Sequence, residues 1–468
     1  MSYLSIEFAI LFLVFLGLYW SLQQKTKWQN YLLLLANYGV VASFDVCFAL
    51  VLAGYSAVIY GLSIAIARNP EQNKWFVISI VAAIGNLAVF KYFDFFRTVL
   101  QDVLNLLGLN VLLPGLEIIM PIGISFYTFH SVSYLFSVKK GELDVPHWSD
   151  FALFLSFFPS IVAGPINRAK AFLPQIQTQS IREVLEPHRA FTLILLAIIK
   201  VYWLSAVLAQ HWVDPVFASP MEYHTLDLIF ALYAYAIQLY LNFSGYTDLV
   251  TAIALLLGFR LPINFNTPYL AMNLRDFWNR WHISLSTWIR DYVYIPLGGN
   301  RKGFSRTQIN LMLAMLLSGL WHGAGLNFIV WGAIHGLGMV VLNVCDHYFG
   351  RDRITHHSTL IAKLLTFHYV CFAWIFFRST SFMEGMEYLS AMADNFTGVE
   401  LHFNSLIYII LLFIFYCFYP VLVNVPQQFC RLISQVNWIA LPFLFIAILW
   451  LVISFAPSGI PNFIYAGF

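Results

Sequence analysis

The run TQINLMLAMLLSGLWHGAGLNFIVWGAIHGLGMVVLNVC, from Thr307 to Cys345, decides the architecture of this chain. Two apolar segments, 307 to 321 and 326 to 345, flank a glycine-bracketed histidine in Ser318-Gly319-Leu320-Trp321-His322-Gly323-Ala324-Gly325. Crossing the hydrocarbon of a bilayer takes about 20 mainly apolar residues, so the run reads as two membrane helices with an ionisable side chain at their junction. Such a group is costly there and is a functional candidate by default. An imidazole titrates near neutral pH and can move a proton from an alcohol. The competing reading of His322 is a structural hydrogen bond between helices.

Working outward, the rest of the chain has the same character. Of 468 residues, 60% are apolar and 10% are Asp, Glu, Lys or Arg, against roughly a quarter charged in ordinary globular chains. This excludes a soluble enzyme, a disordered chain and a nucleic-acid binder with a basic face. Further apolar windows lie at 4 to 22, 31 to 43, 46 to 67, 75 to 96, 118 to 138, 190 to 212, 226 to 257, 359 to 377, 405 to 424 and 438 to 456. The 31 to 43 window is short, and the 226 to 257 window is long enough to contain a break at Ser244-Gly245. Phe151 to Gly164 is apolar but short and ends in Ala163-Gly164-Pro165, which suggests a re-entrant segment. The first window lacks a basic leader and a small-residue cleavage site, so it is expected to stay as a helix. The reading is an all-α polytopic membrane protein with about 11 to 13 transmembrane helices plus re-entrant segments, in one domain over 1 to 468. Cys47, Cys345, Cys371, Cys417 and Cys430 form no CxxC pair, and all but Cys430 sit in or beside apolar runs, as small buried hydrophobes do.

Charge in the connections orients the helices, because Lys and Arg collect on the cytoplasmic side. Lys25 with Lys27, Arg68 with Lys74, Lys139 with Lys140, and Arg168, Lys170, Arg182 and Arg189 mark one side. Residues 213 to 225 and 379 to 403 carry Asp and Glu without Lys or Arg and mark the other. The expectation is a membrane protein with both termini outside; Arg97 and Arg378 are exceptions. The link from 259 to 306 is too long for an idle connection and adds Arg275, Arg280 and Arg290 to the basic side. A helix capped by Asn273 is expected to run from there to Tyr292. It presents a second histidine, His282, among Trp278, Trp281 and Trp288. Arginine forks match phosphate oxygens, although Arg and Trp also anchor helices at the lipid interface. His335 follows His322 by thirteen residues and would not share its face on one continuous helix, so it reads as a packing histidine. There is no HExxH pattern or cysteine cluster for a metal, and Gly298-Gly299-Asn300-Arg301-Lys302 lacks Walker spacing. Asp248, after Asn242-Phe243-Ser244-Gly245-Tyr246-Thr247, reads as a polar tie between helices.

The blocks Asn264-Phe265-Asn266-Thr267-Pro268-Tyr269, Asp276-Phe277-Trp278-Asn279-Arg280-Trp281-His282-Ile283-Ser284-Leu285-Ser286 and Trp321-His322-Gly323 resemble the membrane-bound O-acyltransferase family. The resemblance is to the bacterial branch that modifies alginate and peptidoglycan and, further off, teichoic acid. Pro121-Ile122-Gly123-Ile124-Ser125-Phe126-Tyr127, Phe158-Pro159, Ala163-Gly164-Pro165-Ile166, Tyr246 with Asp248, and Asn462-Phe463-Ile464-Tyr465 agree with it. Asn242 stands where the alginate branch often has Asp, and Ser137 with Lys139 also departs from the pattern, which leaves the glycan open.

The resemblance implies a ring of helices around a central tunnel with His322 at its centre and His282 as the second polar position. It implies an O-acyltransferase with His322 and His282 as catalytic residues; Trp321, Trp281, Trp278, Arg275, Arg280, Arg290 and Asn266, which surround them in the sequence, are expected at the substrate site. The expected donor is acetyl-CoA, with no bound cofactor or metal. The expected acceptor is a cell-envelope or extracellular polysaccharide, reached through an extracytoplasmic acetyltransferase partner; no nucleic acid is involved. A proton-coupled transporter or flippase of an anionic precursor is the rival, since intramembrane histidines also relay protons. Against it, no duplicated half is visible in the sequence.

Overall fold

A computed structural model of the chain describes residues 3–109, 111–115, 118–350, 359–395, 410, 414, 419–421 and 424–457. The described residues are helical and separate into two compact units, Met1–Leu185 with Ile253–Pro262, and Glu186–Ala252 with Ile263–Phe468. Six helices are long and apolar enough to cross a membrane: Val46–Arg68, Asn73–Leu106, Pro187–Ala218, Thr225–Leu256, Leu326–Phe349 and Thr359–Arg378. Their outward faces carry side chains such as Leu50, Val81 and Val341, each more than half exposed. That is how a helix apolar all round behaves when its solvent is lipid. The chain is a multi-pass membrane protein.

In the first unit, α1 (Ile6–Ser21), α2 (Thr26–Ala42), α3 (Val46–Arg68), α4 (Asn73–Leu106) and α5 (Ile124–Lys139) follow one another. The expected crossing at 118 to 138 becomes helical only at Ile124, after Gly123 turns the chain at φ 78°. The expected re-entrant segment is two short buried helices, α6 (Trp148–Ser156) and α7 (Phe158–Ile161). Asn37 of α2 holds both: its Nδ2 donates to Ser156 Oγ at 3.1 Å, and its Oδ1 accepts from Phe158 N–H at 3.0 Å. Side-chain amides are effective here because an apolar medium offers the backbone no other partner. A short amphipathic helix, α8 (Ala169–Ile176), closes this unit's helical order.

The second unit opens with α9 (Pro187–Ala218), which carries two π-helical stretches, and α10 (Thr225–Leu256). The anticipated break at Ser244-Gly245 is absent, because Gly245 serves instead as a contact point. A Cβ there would lie 2.6 Å from Val201 Cγ2. The close approach lets Lys200 Nζ reach Asp248 Oδ2 at 2.6 Å, so Asp248 ties α9 to α10. The expected single helix from Asn273 to Tyr292 is also corrected. It is α11 (Leu274–Trp278), a break, and α12 (Ile283–Ile289), which runs into a π-helical turn, Arg290–Tyr294. Then come α13 (Phe304–His322), α14 (Leu326–Phe349), α15 (Thr359–Arg378), α16 (Phe382–Asp394), α17 (Val425–Gln435) and α18 (Leu441–Phe455). Most of the expected 405 to 424 crossing, and the 462 to 465 block, lie outside the described residues. Of the cysteines, Cys371 is buried, whereas Cys47 and Cys345 are exposed; these two sit on outward helix faces rather than in the core.

Candidate active site

Glycines set the geometry around His322. Gly323 ends α13 in extended conformation, and Gly325 does the same before α14. The two helices then run back along one another with their backbones nearly touching: a Cβ on Gly332 would lie 2.5 Å from Met315 O. Only residues without a side chain permit that approach. His322 is thereby fixed at the end of α13, 3% exposed. Its ring meets Trp321 at 4.7 Å, Trp331 at 4.9 Å and Phe377 at 5.0 Å between centroids.

His282 arrives by a different route. It is the residue before α12, at φ 42° and ψ 54°, a left-handed conformation that non-glycine residues adopt at a cost of about 1–2 kcal/mol. The segment Asn264-Phe265-Asn266 holds it there. Asn266 N–H donates to Arg280 O and Ile283 N–H donates to Asn264 O, each at 2.9 Å. Asn264 Oδ1 accepts from Ser284 Oγ at 2.8 Å and from Ser284 N–H at 3.3 Å. This crossing segment supplies partners for the amides that a continuous helix would have satisfied itself. His282 is 1% exposed, and its ring lies 4.7 Å from Phe243 and 6.0 Å from Trp321. Burial pushes this imidazole down to about 3, so it is neutral. The indole of Trp321 therefore packs against both His282 and His322.

A cavity of about 360 Å³ opens beside this pair, with Arg275, Trp278, Arg290, Ser318, Met339 and Asn343 among its lining residues. Its walls follow helix faces. On α13 the lining residues Thr307, Leu311, Ala314, Met315 and Ser318 form one stripe, whose next position is His322. On α12 they are Leu285, Ser286, Thr287 and Ile289, and His282 is the residue immediately before this helix, its C=O accepting from Ser286 N–H at 2.9 Å. The cavity reaches Ser318, one helical turn from His322, and neither histidine lines it. Both imidazoles are enclosed by the aromatic rings around them.

The remaining site candidates separate into two groups. Arg275, Trp278 and Arg290 stand on the cavity wall. Arg275 is paired with Asp346 at 2.8 Å, and the half-exposed Arg290 with Asp291 at 2.8 Å. Arg280 and Asn266 belong to the brace around the break instead. Arg280 Nε donates to Asp276 at 2.6 Å and Nη1 to Thr267 Oγ1 at 3.0 Å. Trp281 is fully buried among Phe265, Trp374 and Phe277 and supports the break from behind. The sequence reading missed Trp331, Phe377, Asn264 and Ser318. A tryptophan nine residues after a histidine carries no periodic signal when a glycine turn intervenes. His335 is on a separate helix from His322, and its ring also meets Trp331, at 4.8 Å.

The family model described as MBOAT, membrane-bound O-acyltransferase family, matches residues 21–385. A probable alginate O-acetylase, AlgI, of Pseudomonas aeruginosa is 35% identical over 433 residues, covering 88% of this chain and 81% of that protein. A peptidoglycan O-acetyltransferase of Helicobacter pylori is 32% identical over 428 residues, covering 84% and 79%. A teichoic acid D-alanyltransferase of Bacillus subtilis is 29% identical over 289 residues, covering 58% and 71%.

Proposed function

We propose, from the premise that this chain belongs to the membrane-bound O-acyltransferase family and is an O-acyltransferase, that it passes acetyl from a cytoplasmic thioester, acetyl-CoA, to a hydroxyl across the inner membrane. The product is an O-acetylated envelope or extracellular polysaccharide, of the alginate or peptidoglycan type that the relatives' names specify. A single observation carries this reading: the cavity wall on α13 stops one turn short of the buried His322, its wall on α12 starts three residues after the buried His282, and the two histidines share Trp321. Arg275 and Arg290 at the cavity wall suit the phosphates of a large anionic donor, whose acyl end would then extend toward Ser318 and His322.

The chemistry needs one base and one hydrogen-bond donor. His322 takes the proton from the acceptor hydroxyl as its oxygen attacks the thioester carbonyl. The carbon–sulfur bond breaks, and the departing thiolate receives that proton from His322. His282, neutral, donates its N–H to the carbonyl oxygen while negative charge develops there. The acceptor in this scheme is a hydroxyl on an extracytoplasmic partner, which hands the acetyl group to the glycan, and both termini of the chain face that side. The test is transfer of labelled acetyl from acetyl-CoA by purified protein in lipid discs. His322→Ala should abolish it with thermal unfolding unchanged; transfer retained by that variant overturns the assignment. Loss of polysaccharide acetylation in cells lacking the protein identifies the acceptor.

A further inference from the structure

The first unit has a cavity of its own, about 740 Å³, that the acyl-transfer scheme does not use. It lies where α2 begins, where α6 begins and where α8 ends, with Lys25, Lys27, Asn30, Tyr31, His147 and Asp150 on its walls. Its charges are uncommitted. Among the described residues neither Lys25 nor Lys27 has a carboxylate partner, and the Asp150 carboxylate has no cation. Asn30 is 9% exposed; its Nδ2 donates to Ile176 O at 2.9 Å, while its buried Oδ1 accepts no hydrogen bond. A buried orphan acceptor is a standing cost that a ligand N–H or O–H removes. The α2 N-terminus lacks a side-chain cap, so its first amides add to the positive potential of the two lysines.

The surroundings place this cavity at headgroup level. Trp28, 60% exposed, and Tyr31 pack together at 6.0 Å at the start of α2. Trp148 packs on Tyr60 at 5.3 Å at the start of α6. Tyr60 hydroxyl donates to Pro146 O, tying α3 to the loop that enters α6. Aromatic residues gather in this way where apolar helices leave the hydrocarbon. Lys139 donates to Pro70 O, which brings the basic 68–74 and 139–140 connections together on one face.

We propose that this cavity binds the headgroup of a phospholipid that carries both a phosphate and a primary ammonium, as phosphatidylethanolamine does. Lys25, Lys27 and the α2 amides take the phosphate. Asp150 and Asn30 Oδ1 take the ammonium N–H groups. A choline headgroup has the same phosphate but no N–H to give, and a glycerol headgroup has no cation for Asp150.

The test is lipid retention by full-length purified protein, measured by native mass spectrometry from discs containing equal amounts of ethanolamine, choline and glycerol phospholipids. The ethanolamine lipid should be retained about fivefold over the choline lipid, the ratio that a hydrogen bond made by one headgroup and not by the other supplies. Asp150→Ala should lower this preference at least twofold, and Lys25→Gln with Lys27→Gln should lower retention of both. Equal retention of all three lipids by the unsubstituted protein overturns the proposal, as does preferential retention of the glycerol lipid, or an ethanolamine preference that Asp150→Ala leaves unchanged. Inorganic phosphate that displaces the ethanolamine lipid as readily as glycerophosphoethanolamine does would show that the ammonium contributes nothing, and would also overturn it.

Discussion

His322 and Trp331 meet edge to face, their ring centroids 4.9 Å apart and their planes at 86°. The indole thus sets one edge of the imidazole, so its replacement should disturb the reaction more than the fold. Trp331→Phe is expected to keep most of the acyl transfer. Trp331→Ala should lower kcat about 100-fold, the scale of a misplaced reacting group, with KM for the donor little changed. Steady-state kinetics on both variants check this, and a loss confined to KM would contradict it.

His335 also meets this indole and is completely buried, with both ring nitrogens lacking a hydrogen-bond partner among the described residues. Leaving a polar atom in that state costs about 1–3 kcal/mol. His335→Leu, close in volume, should therefore raise the unfolding temperature. A lower unfolding temperature would mean that the imidazole is bonded in the native protein.

Glycine positions differ sharply in what they tolerate. A Cβ on Gly332 would lie 2.5 Å from Met315 O, whereas one on Gly54, within α3, would meet nothing within 4 Å. Gly332→Ala should cost about 1–3 kcal/mol through overpacking and separate α13 from α14. Gly54→Ala should stabilise α3 by up to about 1 kcal/mol. Thermal unfolding of the two variants is the check, and similar values for both would refute the close approach.

The left-handed backbone of His282 separates two roles of that residue. His282→Asn keeps a side chain that tolerates φ near 42° and should fold normally, while His282→Val should lose about 1–2 kcal/mol more. The asparagine variant also tests the titration. Burial holds the folded imidazole at about 3, so between pH 6.5 and 3 the unfolded chain binds the extra proton. Stability from this group is full above pH 6.5 and falls as the pH drops. The asparagine variant should show a shallower fall over that window, and an unchanged slope would place the imidazole in water.

The arginines divide by neighbourhood. Arg275→Gln and Arg290→Gln should raise KM for the donor about tenfold each, the value of a charge-assisted phosphate contact, with kcat preserved. Arg280→Gln should instead lower stability, because Arg280 holds Asp276 and Thr267. A donor-KM effect at Arg280 equal to that at Arg275 would erase the distinction.

Residue order alone revealed the six long apolar helices, the glycine-bracketed His322 and the Arg280-Trp281-His282 block, since apolar length and local composition are properties of consecutive residues. The break at 279–282 was not legible. The stretch from Asn273 to Tyr292 has the cap and composition of one helix, and the hydrogen bonds that hold it open come from Asn264 and Asn266, earlier in the chain. The shared contact of His282 and His322 with Trp321, the pairing of Lys200 with Asp248, and the cavity ending at Ser318 were decided by tertiary structure. Each depends on how closely two helix backbones approach. That distance is set by glycines on facing surfaces, whose facing partners become visible only after the chain has folded.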